Sequence, residues 1–91
     1  MKFQETFKAL SDPTRRYILE FLKPGRMTAG EIVNKFDVTG ATISRHLSVL
    51  KDAGLVSDTK EGKYVYYELN TSVVEEAMKW LAGIIGKDEN K

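Results

Sequence analysis

The chain has no cysteine among its 91 residues. That excludes disulfides, thiolate metal ligands and thiol redox sensing together. It has a single histidine, His46. One imidazole cannot make a metal site alone, and there is no histidine pair for acid–base work. No glycine-rich phosphate loop is present, and the Asp and Glu residues form no identifiable constellation. An enzyme is therefore not expected, and no cofactor or metal is expected either. No apolar run approaches the roughly 20 residues that span a bilayer. The start, MKFQETFKAL, lacks the apolar centre of a signal peptide. The expected location is the cytoplasm, with no direct membrane insertion.

A marked excess of either charge is also lacking. The net charge is only +1, whereas many DNA binders are basic overall. Its distribution is more telling. From Val38 to Lys51 there is no Asp or Glu, while Arg45, His46 and Lys51 are present. Acids gather in other places, including Glu75, Glu76, Asp88 and Glu89. A hydrophobic fraction of 42% and a charged fraction of 30% describe a globular chain. Its length suits one domain, 1–91, with one modest core that association would help to stabilise.

Phe3, Phe7 and Leu10 recur at helical spacing and predict a first helix over about 3–10. Asp12 is a good N-cap and Pro13 suits the first helical position, so a second helix is expected over about 13–23. Ile18, Leu19 and Leu22 would face inward. Thr28-Ala29-Gly30-Glu31 has the form of a capping box and opens a third helix over about 28–36, burying Ile32, Val33 and Phe36. Asp37-Val38 makes the turn. Thr39 caps a fourth helix, about 39–53, with Ile43, Leu47 and Leu50 inward, and Gly54 closes it. Leu55–Thr59 and Tyr64–Leu69 read as two strands joined by Lys60-Glu61-Gly62-Lys63. Asn70-Thr71 caps a last helix over about 71–86, and the tail GKDENK is expected to fray. The order helix–helix–helix–helix–strand–strand–helix is mainly α with a small β-hairpin, the layout of a winged helix-turn-helix.

The outer face of the fourth helix carries Thr39, Gly40, Ala41, Thr42, Ser44, Arg45 and Ser48. Small side chains let a helix approach base edges, hydroxyls donate to phosphate or base, and Arg can bind guanine bidentately. A merely solvated face would usually carry Glu and Lys, which are better helix formers. Lys60 and Lys63 at the hairpin would reach flanking phosphates, contacts that set register and not sequence. His46 suits a structural or peripheral DNA role. Arg15 and Arg16 suit pairing with an acid inside the domain better than phosphate binding. The last helix carries two adjoining apolar stripes, 73-77-80-84 and 74-78-81-85. That is wider than one helix needs against its own small domain. Phe3, Phe7, Val74, Met78, Trp80, Leu81, Ile84 and Ile85 are the expected surface of a two-fold dimer.

FKALSDPTRRYILEFL, TAGEI, TGATISRHLSVLKDAGLV and GKYVYYELN together resemble the ArsR/SmtB family of winged-helix repressors. The resemblance covers nearly the whole chain and is closest to the SdpR-type autorepressor branch. It implies a homodimeric repressor on double-stranded DNA, with dimer contacts from the terminal helices. It implies DNA contacts at Gly40, Ala41, Thr42, Ser44, Arg45 and the wing tip from Lys60 to Tyr64. It also permits a membrane-associated sequestering protein as partner. The family's metal sensors use Cys-x-Cys elements or Asp and His pairs in the last helix. Here there is no Cys, and the last helix offers Glu75 and Glu76 without His. Two alternatives remain: a winged-helix protein-interaction module, or a repressor responding to a metal or small molecule through a non-standard site. DNA binding should fall steeply with added salt, whereas apolar docking should not.

Overall fold

The computed structural model describes residues 3–86. The elements run α1 (Phe3–Leu10), α2 (Pro13–Leu22), β1 (Met27–Thr28), α3 (Ala29–Val33), α4 (Gly40–Asp52), β2 (Val56–Glu61), β3 (Tyr64–Leu69) and α5 (Thr71–Ile84). The expected frayed tail lies, beyond Gly86, outside the described residues.

Local chemistry sets the helix ends. The Asp12 carboxylate accepts from the amides of Thr14 (2.8 Å) and Arg15 (3.3 Å), with Pro13 in the first turn. The capping box at α3 is closed in both directions: Glu31 N–H donates to the Thr28 hydroxyl, and Thr28 N–H donates to the Glu31 carboxylate. Gly54 has φ +79. It lets Leu55 N–H return to the Leu50 carbonyl (3.0 Å) and Gly54 N–H to that of Lys51 (2.9 Å). That pair of bonds is a Schellman motif, and Leu50 and Leu55 are both fully buried beneath it.

The core forms where α1, α2, α3, α4 and β2 meet: Ala9, Ile18, Leu22, Ile32, Ile43, Leu47, Leu50, Leu55 and Val56. Each of the inward positions expected on α4 is buried. Phe21 and Phe36 pack edge to face beside this core, with ring centroids 5.6 Å apart.

Four expectations need correction. First, the sheet has three strands, in the order β1-β3-β2. β1 pairs Met27 with Tyr67 and Thr28 with Tyr66. Two residues are too few to show a period, and Thr28 is also the helix cap. Second, α3 ends at Val33, and Val33 and Phe36 are only half-buried. Third, the wing turn is shorter than expected. Lys60 and Glu61 lie in β2 opposite Val65 and Tyr64, leaving Gly62-Lys63 as a two-residue turn. Gly62, at φ +63, takes the first central position as a type II′ hairpin requires. Fourth, Asn70 stands at the N-cap of α5 but makes no side-chain bond to a helix amide. Its Oδ1 accepts from the Ser72 hydroxyl at 2.8 Å instead.

The Asp12 cap has a pH signature. Partial burial pushes its carboxyl up, but the amides of Arg15 and Thr14 outweigh that and hold it below the ordinary value of 3.8. A lowered native pKa gives stability that is full above the unfolded value and lost as pH falls through the native one. Asp12→Ala should cost about 1 kcal/mol near neutrality, read as a lower urea midpoint. Asp12→Asn, which still caps, should cost much less. The gap between wild type and Asp12→Ala should narrow on acidification below the ordinary carboxylate range. A gap independent of pH would contradict the assigned cap.

Candidate nucleic-acid interface

α4 is 13 residues long, about 20 Å at 1.5 Å per residue. Thr39 opens it, accepting from Thr42 N–H at 3.2 Å, and the two hydroxyls lie 3.0 Å apart. Thr39 thus has a structural task alongside any contact it makes. The first-turn amides of Gly40 and Ala41 precede the helix's own i→i−4 bonding and point outward as an anion-favouring end.

Burial of Ile43, Leu47 and Leu50 fixes the rotation of α4. Thr39, Gly40, Ala41, Thr42, Ser44, Arg45 and Ser48 are consequently all exposed. The expected residues therefore stand together on one helix surface. Arg45 forms none of the ion pairs among the described residues. Its fork is free for a base edge or a phosphate.

The remaining expected positions are less uniform. Lys63 is exposed at the wing tip with its Nζ 5.6 Å from the centre of the Tyr64 ring, and Lys60 is exposed on β2. Lys51, counted in the acid-free cationic stretch, bonds Asp58 of β2 at 3.1 Å. That partner raises the Lys51 pKa and takes its charge out of the local excess. His46 is half-buried, with Nδ1 3.2 Å from Arg15 Nη1.

Arg15 and Arg16 do not pair with an acid as expected. They bind the last carbonyls of α1: Arg15 Nε donates to Ala9 (2.7 Å) and Arg16 Nη1 to Leu10 (2.6 Å). Cations at a helix C-terminus satisfy orphan carbonyls and suit the helix dipole.

Sequence reasoning missed Arg26. Its guanidinium grips Glu61 with two bonds, 2.9 and 3.2 Å, and stacks 4.0 Å above the Tyr66 ring. The hydrogen bond to Arg26 holds the Glu61 carboxyl below its ordinary range, and the same bond raises Arg26. The pair ties the segment before β1 to the end of the wing. No local signal marked it, because the partners are 35 residues apart and meet only through the unforeseen strand β1.

The terminal helices leave apolar surface open. Of α5 only Ala77 is buried, while Met78 and Ile84 are each 62% exposed and Ile85 is 68% exposed. Leu81 is exposed as well, and Val74 is half-buried against the core. Phe3, Phe7 and Trp80 form an aromatic trio with centroids 5.9–6.2 Å apart. Trp80 thus spends part of its ring on α1 of its own chain. Among the described residues no group of three or more His, Asp or Glu side chains could hold a metal ion.

A two-helix unit with a buried seam, a polar outer helix and an adjoining hairpin defines a winged helix-turn-helix DNA-binding protein. Residues 12–58 match the family model described as bacterial regulatory protein, arsR family. Over 84 residues the chain is 48% identical to the transcriptional repressor SdpR of Bacillus subtilis, covering 92% of this chain and 93% of that one. It is 35% identical over 74 residues to an arsenical resistance operon repressor of the same organism, covering 80% of this chain and 70% of the relative. A crystal structure of an ArsR family transcriptional regulator superposes with a TM-score of 0.86 at 29% identity, covering 91% of each chain. HlyU from Vibrio cholerae superposes at 0.75 and 28% identity, covering 91% of this chain and 90% of that one. The chain belongs to the ArsR family of bacterial regulatory proteins, and it is a DNA-binding transcriptional repressor.

Ala41→Glu tests the exposed face. Ala41 is exposed in the first turn of α4, where an acid suits the helix dipole. The melting temperature should hold or rise slightly. DNA affinity should fall at least about tenfold through bulk and charge repulsion. Unchanged affinity in a fluorescence-anisotropy titration would remove this face from the interface.

Proposed function

We propose that the protein works as a homodimer that lays α4 of each copy in the major groove of a near-palindromic operator. α1 and α5 form the two-fold interface, through Phe3, Phe7, Val74, Met78, Trp80, Leu81, Ile84 and Ile85. Gly40, Ala41, Thr42, Ser44, Arg45 and Ser48 face the bases and the adjoining backbone. Thr39 and His46 lie at the edge of that face. Lys60 and Lys63 of the wing meet flanking phosphates. Bound dimer occludes promoter DNA in the cytoplasm, without catalysis, and the target includes the protein's own promoter.

The observation that carries this reading is the exposed, acid-free face of α4, held outward by a fully buried seam. The open apolar face of α5 supports the dimer, because contiguous exposed apolar surface marks an interaction site. Two-fold pairing would set the recognition helices about 34 Å apart, one DNA turn. Relief of repression by a membrane-associated sequestering protein belongs to the same reading. Among the described residues no helix is long and apolar enough to cross a membrane.

The exposure of Met78, Ile84 and Ile85 also favours a second reading, a winged helix that docks on another protein. Salt separates the two. Phosphate contacts lose affinity steeply as salt rises, and apolar docking does not.

Arg45→Ala should weaken binding to a duplex selected by the wild-type protein by roughly ten- to a hundredfold, the value of a bidentate base contact. Ser44→Ala should weaken it less. Both variants should melt like wild type, since neither side chain is buried. Normal gel-shift titrations for both would show that α4 does not read the operator.

A further inference from the structure

Arg15 joins α2 to two other elements. Its Nε and Nη2 donate to the carbonyls of Ala9 (2.7 Å) and Lys8 (3.3 Å) at the end of α1. Its Nη1 lies 3.2 Å from Nδ1 of His46, in the middle of α4. A guanidinium has donors and no acceptor. In this contact Nδ1 must therefore accept, and a neutral ring whose Nδ1 accepts carries its proton on Nε2.

Nε2 is then the atom of interest. Among the described residues it has no hydrogen-bond partner, and no buried side-chain nitrogen or oxygen lacks one. Nε2–H is thus a donor that reaches solvent. His46 follows Arg45 and stands one turn beyond Thr42, on the flank of the outward face. A neutral N–H in such a place suits a phosphate oxygen, since uncharged side-chain donors supply many backbone contacts to DNA.

We propose that Arg15 is a positioning residue for DNA binding: it holds His46 as the Nε2–H tautomer, and that N–H donates to a backbone phosphate beside α4. The inference rests on α4 being the DNA-facing helix. It adds an orienting residue and the tautomer of its partner. A doubly protonated ring could not accept from Arg15. The arrangement therefore works with the neutral imidazole. Because the same guanidinium grips the end of α1, the donor is aligned to the helix that carries Phe3 and Phe7.

The single histidine makes the test clean. Nitrogen-15 NMR of the imidazole in the full-length protein should show a bare Nδ1 and a protonated Nε2. Arg15→Met should give mixed tautomers. Two substitutions then separate the ring atoms. His46→Asn keeps an acceptor near the Nδ1 position and loses the distal donor, while His46→Gln keeps a distal amide donor. On a duplex selected from random DNA by the wild-type protein, His46→Asn should bind roughly tenfold more weakly. His46→Gln should stay within about threefold of wild type. A protonated Nδ1 in the wild-type protein, or equal affinities for the Asn and Gln variants, would overturn the proposal. If Arg15→Met does not fold, the wild-type spectrum and the Asn–Gln pair still decide. Arg45→Ala on the same duplex separates the failures. If it and Ser44→Ala both bind normally, the placement of α4 is wrong. If it binds weakly while the Asn and Gln variants match, only the role of His46 and Arg15 falls.

Discussion

The burial of one helical seam governs the rest of the molecule. Ile43, Leu47 and Leu50 are at most 2% exposed, and they sit at helical spacing on α4. Turning them outward would cost about 1.5–3 kcal/mol for each side chain. The helix is therefore locked in rotation, and its small, hydroxylated opposite side must face solvent. A recognition surface needs that kind of fixed presentation, because base contacts are lost with small displacements. The Thr39 cap fixes where the helix begins, and the Schellman turn at Gly54 fixes where it stops.

Around this seam, longer-range polar contacts set the neighbours. Arg15 and Arg16 close the end of α1, and Arg15 reaches across to His46. Arg26 and Glu61 tie the start of the sheet to the end of the wing. Lys51 and Asp58 brace α4 against β2. Exposed ion pairs add little stability each. Their value here is geometric, since they hold the wing beside the helix. They also consume charge. With Lys51 and Arg26 paired, Arg45, Lys60 and Lys63 carry the free positive charge near the proposed interface, which reconciles DNA binding with a net charge of only +1.

Much of this was legible in the sequence, for definable reasons. The seam of α4, the Asp12 and Thr28 caps and the Gly54 stop follow from short-range rules, and the structure carries each of them. The exposed face followed in turn, because knowing the buried side of a helix gives its outer side. β1 was not legible, since two residues have no period and Thr28 already announced a cap. The wing turn was misplaced because Lys60 and Glu61 look like turn residues, while their register with Val65 and Tyr64 is set by β3. The roles of Arg15, Arg16 and Arg26 depend on partners brought near only by folding. Residue type alone suggested acids for the first two, and the structure supplies carbonyls. The surplus apolar surface of α5 was visible as two stripes, although Trp80 also packs within its own chain.

The central claim is that two copies of the α4 face are held at a fixed spacing by the terminal helices. Selecting bound duplexes from random DNA with the wild-type protein tests it most directly. The account predicts an inverted repeat whose half-site centres lie about one helical turn apart. Recovery of a single asymmetric half-site, or of no enriched sequence at all, would contradict it.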